Sequence, residues 1–105
     1  WKLQNGAVIH NKPYHPSYEA VQARLATGCQ VIYPNYSYNP YATYTDTSDN
    51  TQNILWFENQ QSITAKAELA RLLGLKGISI WRLGTIPTDN STGLNIWGAL
   101  TEAVQ

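Results

Sequence analysis

Two side chains near the ends of predicted strands have the chemistry to contact a ligand. Trp81 lies at the carboxyl end of the predicted strand 78–83, and this is the end at which α/β folds build their sites. The face of an indole can stack on the apolar C–H face of a sugar ring, and a tryptophan of the core is the equal alternative. Glu58 follows the predicted strand 51–57. Its carboxylate could face a site or pair with a neighbouring Lys or Arg.

The other reactive side chains form no catalytic set. Asp46 and Asp49 stand three residues apart and offer two carboxylates, the groups that a glycosidase uses, but they lie in a turn, where short side chains bond to backbone amides. His10 and His15 flank a proline-containing loop without the partners of a triad. Cys29 is the only cysteine, and we interpret it as a small residue at a helix-to-strand junction. We therefore predict no catalytic residue, no metal site and no cofactor, since nucleotide-binding and zinc motifs are also absent.

Composition limits the classes of function. The 105 residues are one domain or part of one, and fewer than the roughly 250 of a complete (β/α)8 barrel. Seven Lys and Arg balance seven Asp and Glu, which disfavours a nucleic-acid partner. No apolar run reaches the length of a membrane helix. The chain begins at Trp1 and lacks Met, so we expect a processed product or a fragment.

The first half of the chain has an α+β pattern. Pro16 and Ser17 start a predicted helix, since Pro is tolerated in the first turn, and its apolar face includes Tyr18, Val21 and Leu25. Short strands are predicted at 6–10 and 30–33, and a β hairpin at 42–46 and 51–57 around the turn 47–50.

The second half alternates strand and helix. Ser62 predicts the N-cap of a helix over 63–73, which Gly74 ends. Together with the strand 78–83, this order is typical of a β-α-β unit with parallel strands. A loop over 84–95 and a final helix over 96–104 follow. Trp56 and Trp97 are interpreted as packing residues.

Two runs carry a family resemblance. LWFENQQSITAK, residues 55–66, and GLKGISIWRLG, residues 74–84, resemble the C-terminal end of family 18 glycoside hydrolases. The most similar branch contains chitinase-like and spore-cortex N-acetylglucosaminidase proteins, with W-F-E-D-x-x-S-x-x-x-K and G-[LI]-x-G-[VI]-x-x-W-x-L-G stretches. Residues 40–46 resemble the aromatic strand that precedes them. Asn59 departs from the aspartate of this branch, which puts a polar role there in doubt.

The resemblance implies a fold and a set of contacts. The expected fold is α/β with an α+β insertion. Residues 1–50 would form the insertion lobe, and residues 51–105 the C-terminal β-α-β-α part of a TIM barrel, with its strands seven and eight. Trp81 would floor the subsite of the cleaved N-acetylglucosamine, and Tyr44 would lie in the lobe that walls the cleft. With Glu58, these are the predicted substrate-binding residues.

The same resemblance implies what this chain lacks. The family's catalytic acid is the glutamate of a D-x-x-D-x-E motif on strand four. Asp46 and Asp49 match the two aspartates of this motif in spacing, but Thr51 occupies the position of the glutamate. We therefore predict an inactive piece of a hydrolase for β-1,4-linked N-acetylglucosamine glycans, either chitin or peptidoglycan. The alternative is a non-catalytic carbohydrate-binding or interaction module.

The expected partners follow from this fold. They are the glycan, the remainder of the parent barrel and a second copy bound through unpaired strand edges, but no nucleic acid and no membrane. The family suggests an extracellular or cell-envelope location.

Overall fold

Five strands and three helices make up the described part of the chain. The computed structural model describes residues 1–9, 15–82 and 95–104. The elements are β1 (Lys2–Gln4), β2 (Ala7–Val8), α1 (Tyr18–Leu25), β3 (Gln30–Ile32), β4 (Tyr41–Asp46), β5 (Thr51–Trp56), α2 (Gln60–Leu72) and α3 (Ile96–Ala103).

The strands form one antiparallel sheet in the order β2-β1-β5-β4-β3. The predicted hairpin is confirmed: β4 pairs with β5 from Tyr41 opposite Trp56 to Asp46 opposite Thr51. Its turn is built as expected, since the Asp46 carboxylate accepts from the Ser48 amide at 3.0 Å and the Asp49 carboxylate from the Thr51 amide at 3.1 Å. Both carboxylates therefore stabilise the turn.

A second hairpin, between β1 and β2, was not predicted. Asn5 and Gly6 connect its strands with φ angles of 50° and 78°. A two-residue Asn-Gly loop with positive φ at both positions is the preferred connection of tight hairpins. The dipeptide was therefore a usable sequence signal. The predicted strand 6–10 is confirmed only for β2, and His10 lies outside the described residues.

The predicted parallel β-α-β unit is wrong for the described residues. β5 pairs with β4 along its length and with β1 through Lys2 and Leu3 on its other side. Because these antiparallel neighbours occupy both sides of β5, the segment after α2 finds no partner there, and residues 78–82 form no strand. Residue 83 and most of the predicted loop 84–95 lie outside the described part. The division of the chain at residue 50 stays a prediction, and the β4–β5 hairpin crosses it.

Helix α1 covers one face of the sheet. The Ser17 hydroxyl caps this helix by accepting from the Ala20 amide at 3.2 Å, so the helix begins at Tyr18, two residues after the predicted start at Pro16. Val21 packs with Ala42 and Phe57 in a buried cluster, and Ala42 has no exposed surface. Cys29 borders this cluster, and its thiol donates to the Arg24 carbonyl at 3.1 Å. This agrees with its interpretation as a junction residue.

The opposite face of the sheet, here called the open face, points away from the buried cluster that α1 forms with the sheet. Register and strand alternation place on it Leu3, Val8, Gln30, Ile32, Tyr41, Thr43, Thr45, Gln52, Ile54 and Trp56. The core position expected for Trp56 is wrong, because its side chain lies on this face and the residue is 40% exposed.

Helices α2 and α3 pack against each other. Ala67 and Ala70 of α2 are buried, and so are Ile96, Ala99 and Leu100 of α3. The Arg71 guanidinium donates to the carbonyls of Glu102 at 3.1 Å and Ala103 at 3.0 Å, which satisfies the carboxyl end of α3.

Unlike Ala67 and Ala70, the leucines of α2 and of the segment after it are exposed. Leu69, Leu72, Leu73 and Leu75 are exposed, as are Ile78 and Ile80. We call these six residues the leucine surface. Exposed apolar side chains that cluster along the chain in this way are typical of an interaction site. No helix among the described residues is long and apolar enough to cross a bilayer.

Candidate functional site

The carboxylate of Glu58 is held by two side chains at the junction of β5 and α2. It forms an ion pair with Lys66 and accepts from the Ser62 hydroxyl at 2.5 Å. The Asn39 side chain, in the loop before β4, donates to the backbone carbonyl of the neighbouring Phe57 at 3.1 Å. The backbone carbonyl of Glu58 accepts from the Tyr18 hydroxyl. Glu58 thus connects α1 with α2.

These contacts set the charge of Glu58. Burial favours the protonated acid, but the hydrogen bonds from Lys66 and Ser62 outweigh it, so the pKa of the Glu58 carboxyl is lowered. The group is therefore ionised at neutral pH, which suits an acceptor and not a proton donor. Burial, followed by the charge of Glu58, raises the pKa of Tyr18, so its hydroxyl stays a neutral donor.

Asn59 is the true N-cap of α2. Its side-chain oxygen accepts from the Ser62 amide at 3.0 Å, while the Ser62 hydroxyl accepts from the Asn59 amide at 2.9 Å. This reciprocal pair is a capping box. The predicted Ser62 cap and the helix start at residue 63 are therefore wrong by three residues. Asn59 also donates to the Tyr33 hydroxyl at 3.0 Å. Asn59 therefore has a polar role, contrary to the expectation from its departure from aspartate.

Tyr44 lies on the sheet face that α1 covers. The Arg24 guanidinium stands over its ring, 4.2 Å from the centroid, in a cation–π contact. One ring face of Tyr44 is therefore already occupied by this chain. Its contact with a glycan stays a prediction.

Trp81 is far more exposed than Tyr44. The residue is 93% exposed, so the alternative of a core tryptophan is wrong for this chain. A cis peptide bond joins it to Arg82. Large exposed aromatic side chains are common contacts at binding surfaces, and the substrate role of Trp81 stays a prediction.

The three predicted residues are not joined into one cluster. Within the described residues, no hydrogen bond, ion pair or ring contact links Trp81, Tyr44 and Glu58 to one another. The sequence allowed Glu58 a neighbouring Lys or Arg as its partner, and the structure identifies that partner as Lys66. A usable signal existed, because residues 58, 62 and 66 follow one another at the four-residue spacing that brings side chains together along a helix.

A groove of about 600 Å³ lies beside this junction, between α1, β3 and α2. Its lining mixes apolar and polar side chains, namely Leu25, Val31, Tyr33, Phe57, Asn59, Gln60, Gln61, Thr64, Ala65 and Glu68. None of the three predicted site residues lines it. Across the described ranges, no three His, Cys, Asp or Glu side chains form a group that could hold a metal ion.

Comparison with known proteins gives sequence relatives of one kind. No protein-family model matches the chain. It is 34% identical over 70 residues to probable di-N-acetylchitobiase 1 of Dictyostelium discoideum. This match covers 67% of the present chain and 19% of that protein. It is 42% identical over 66 residues to the cortical fragment-lytic enzyme of Bacillus subtilis (strain 168), covering 63% of this chain and 15% of that enzyme. The matches thus span less than a fifth of these relatives.

A solved structure extends the likeness to three dimensions. The chitinase of Chromobacterium violaceum ATCC 12472 matches 83% of this chain and 26% of its own, with a TM-score of 0.68 and 26% identity. The mixed helix-and-sheet fold is therefore chitinase-like. The predicted resemblance is confirmed: the chain is related to a segment of chitinase-like glycoside hydrolases.

Proposed function

We propose that this chain is the C-terminal part of a family 18 glycoside hydrolase that acts on β-1,4-linked N-acetylglucosamine glycans, chitin or peptidoglycan. The observation that carries the proposal is the chitinase likeness over 83% of the chain at a TM-score of 0.68. The chain would supply substrate-binding side chains, with Trp81 first among them. Such hydrolases suggest an extracellular or cell-envelope location.

The catalytic acid would come from the rest of the parent protein. The chain contains no D-x-x-D-x-E motif. Asp46 and Asp49 accept hydrogen bonds within their own turn, and Glu58 is ionised beside Lys66. A glycosidase needs a carboxylic acid that protonates the leaving oxygen, and none of these groups suits that role.

The leucine surface supports a larger parent. Leu72 is 83% exposed, although α2 has α3 beside it. Burying a leucine stabilises a protein by about 2 kcal/mol, so six exposed aliphatic residues favour a covering partner. We propose that this partner is the remainder of the parent barrel.

A non-catalytic carbohydrate-binding module is the second candidate. It is favoured by the exposed indole of Trp81 in a chain whose sequence has no D-x-x-D-x-E motif. In that case the chain would bind glycan without any cleavage by its parent.

Hydrolysis tests the two candidates directly. The full-length parent is expected to release the chromophore from a chitobiose substrate, whereas the 105-residue chain releases none. Trp81→Ala in the parent is expected to lower kcat/KM by at least about tenfold. Tyr36→Ala, which removes another exposed aromatic ring, is the matched control. Release by the isolated chain would show that the missing-acid proposal is wrong, and glycan binding by an inactive parent would favour the second candidate.

A further inference from the structure

We propose that the open face of the sheet carries a separate carbohydrate-contact surface, formed by Ile32, Tyr41 and Trp56. Its ligand class is a neutral glycan of β-linked N-acetylglucosamine. The choice of sugar rests on the proposed function, whereas the existence of the surface rests on the sheet.

The three side chains form one row across three strands. Ile32 stands opposite Tyr41, and Tyr41 stands opposite Trp56. Two inter-strand spacings of about 4.8 Å give the row a length of about 10 Å, which suits a disaccharide. The Tyr41 and Trp56 ring centroids are 4.7 Å apart with planes tilted by 46°. The two rings therefore brace each other while Trp56 keeps 40% of its surface exposed.

The polar groups beside the row are all neutral. Thr43, Thr45 and Gln52 lie on the same face and supply hydroxyl and amide groups that both donate and accept. No charged residue lies on this face among the described strand positions, since Lys2 and Asp46 are on the other side. A phosphorylated, acidic or basic partner would find no counter-charge. A neutral sugar, with apolar C–H faces and many hydroxyls, matches both kinds of group.

The open face also differs from the leucine surface. Its aliphatic side chains Leu3, Ile32 and Ile54 are half-buried, and Val8, which is 50% exposed, lies on β2, two strands away from Trp56. Leu72 of the leucine surface, by contrast, is 83% exposed. The part of the open face around the row therefore has less exposed aliphatic surface for a protein partner to cover. The exposed apolar group of the row is the Trp56 ring, which presents a flat stacking surface.

The test follows the indole N–H signals of the 105-residue chain by NMR. Triacetylchitotriose is expected to shift the Trp56 signal in a saturable way, with Trp56→Phe used for assignment. Trp56→Ala and Tyr41→Ala are expected to weaken binding at this face by at least about tenfold. Trp56→Leu keeps an apolar side chain in the strand and is expected to show the same loss without unfolding. Tyr36→Ala, in an exposed loop, is the matched control.

Three outcomes would show that the proposed surface is wrong. The first is an unmoved Trp56 signal, and the second is an equal shift with sorbitol. The third is loss of the shift in Trp81→Ala, which would assign the sugar to the Trp81 region. An unmoved signal would also favour the parent protein as the occupant of this face. A saturable Trp56 shift in a chain whose parent cleaves nothing would leave the surface supported and the hydrolase proposal rejected. Cleavage by the parent with no Trp56 shift would support the hydrolase proposal and reject the surface.

Discussion

Glu58, the residue that follows the Trp56 end of β5 by two positions, forms an ion pair with Lys66 in the second turn of α2. Ser62 lies one turn earlier on the helix and donates to the same carboxylate at 2.5 Å. The strand and the helix are therefore connected by charge as well as by the peptide chain. This connection, together with the Asn59 cap, orients α2 relative to the sheet.

The capping box predicts a clear stability difference. Asn59→Ala removes the acceptor for the Ser62 amide and is expected to lower the free energy of unfolding by about 1 kcal/mol. Asn59→Asp keeps an acceptor of similar reach and is expected to retain nearly all of the free energy of unfolding. Urea denaturation measures both variants. Gln60→Ala, at the exposed next position, is the control, and an Asn59→Ala protein as stable as the parent chain would contradict the capping role.

The Glu58 network predicts a dependence of stability on pH. Its hydrogen bonds hold the folded-state pKa of Glu58 below its usual value of 4.5. The stabilisation is therefore complete above the unfolded-state pKa and is lost as the pH falls through the folded-state value. Glu58→Gln is expected to cost about 1 kcal/mol or less at neutral pH, because the pair is partly exposed, and to flatten the acid limb.

Urea denaturation at a series of pH values measures this effect. Glu102→Gln changes an exposed carboxylate on α3 and serves as the control. The proposed ionised state of Glu58 would be wrong if its Gln variant and the parent chain lost stability in parallel on acidification.

The hairpin turn predicts a change in one carboxyl titration. Hydrogen bonds, first from Lys2 and then from Thr51, lower the pKa of Asp49 to about 2. Lys2→Ala removes the larger contribution and is expected to raise this pKa towards its usual 3.8. NMR titration of the Asp49 carboxyl carbon measures it. Lys76→Ala removes a lysine that is remote in sequence and exposed, and an equal shift in that variant would contradict the assignment.

The leucine surface and the sheet edges make different predictions about self-association. If apolar contact drives it, Leu72→Glu is expected to abolish concentration-dependent association, because a charge would have to be buried. If the β3 edge pairs with another copy, Val31→Lys is expected to do so instead. Light scattering over a dilution series distinguishes them, with Thr101→Glu as the surface-charge control. A monomer at every concentration would exclude both routes for this chain.

Local signals in the sequence were enough for several elements. Ser17 predicted the start of α1, and the turn residues Asp46 and Asp49 predicted the β4–β5 hairpin. These features depend on contacts between residues close in the chain, so the residue types carry the information. The Asn5-Gly6 turn belongs to the same class and was overlooked.

The amino-acid sequence by itself determined the hairpin, the approximate position of each helix and the resemblance to chitinase-like hydrolases. Only the tertiary structure decided the neighbours of β5, because β1 comes from about fifty residues earlier, and strand pairing at such separation leaves no local signal. It also decided that Tyr44 lies under Arg24 while Trp56 is exposed. Alternation along a strand shows which residues share a face. Which face receives a helix depends on how the whole chain packs.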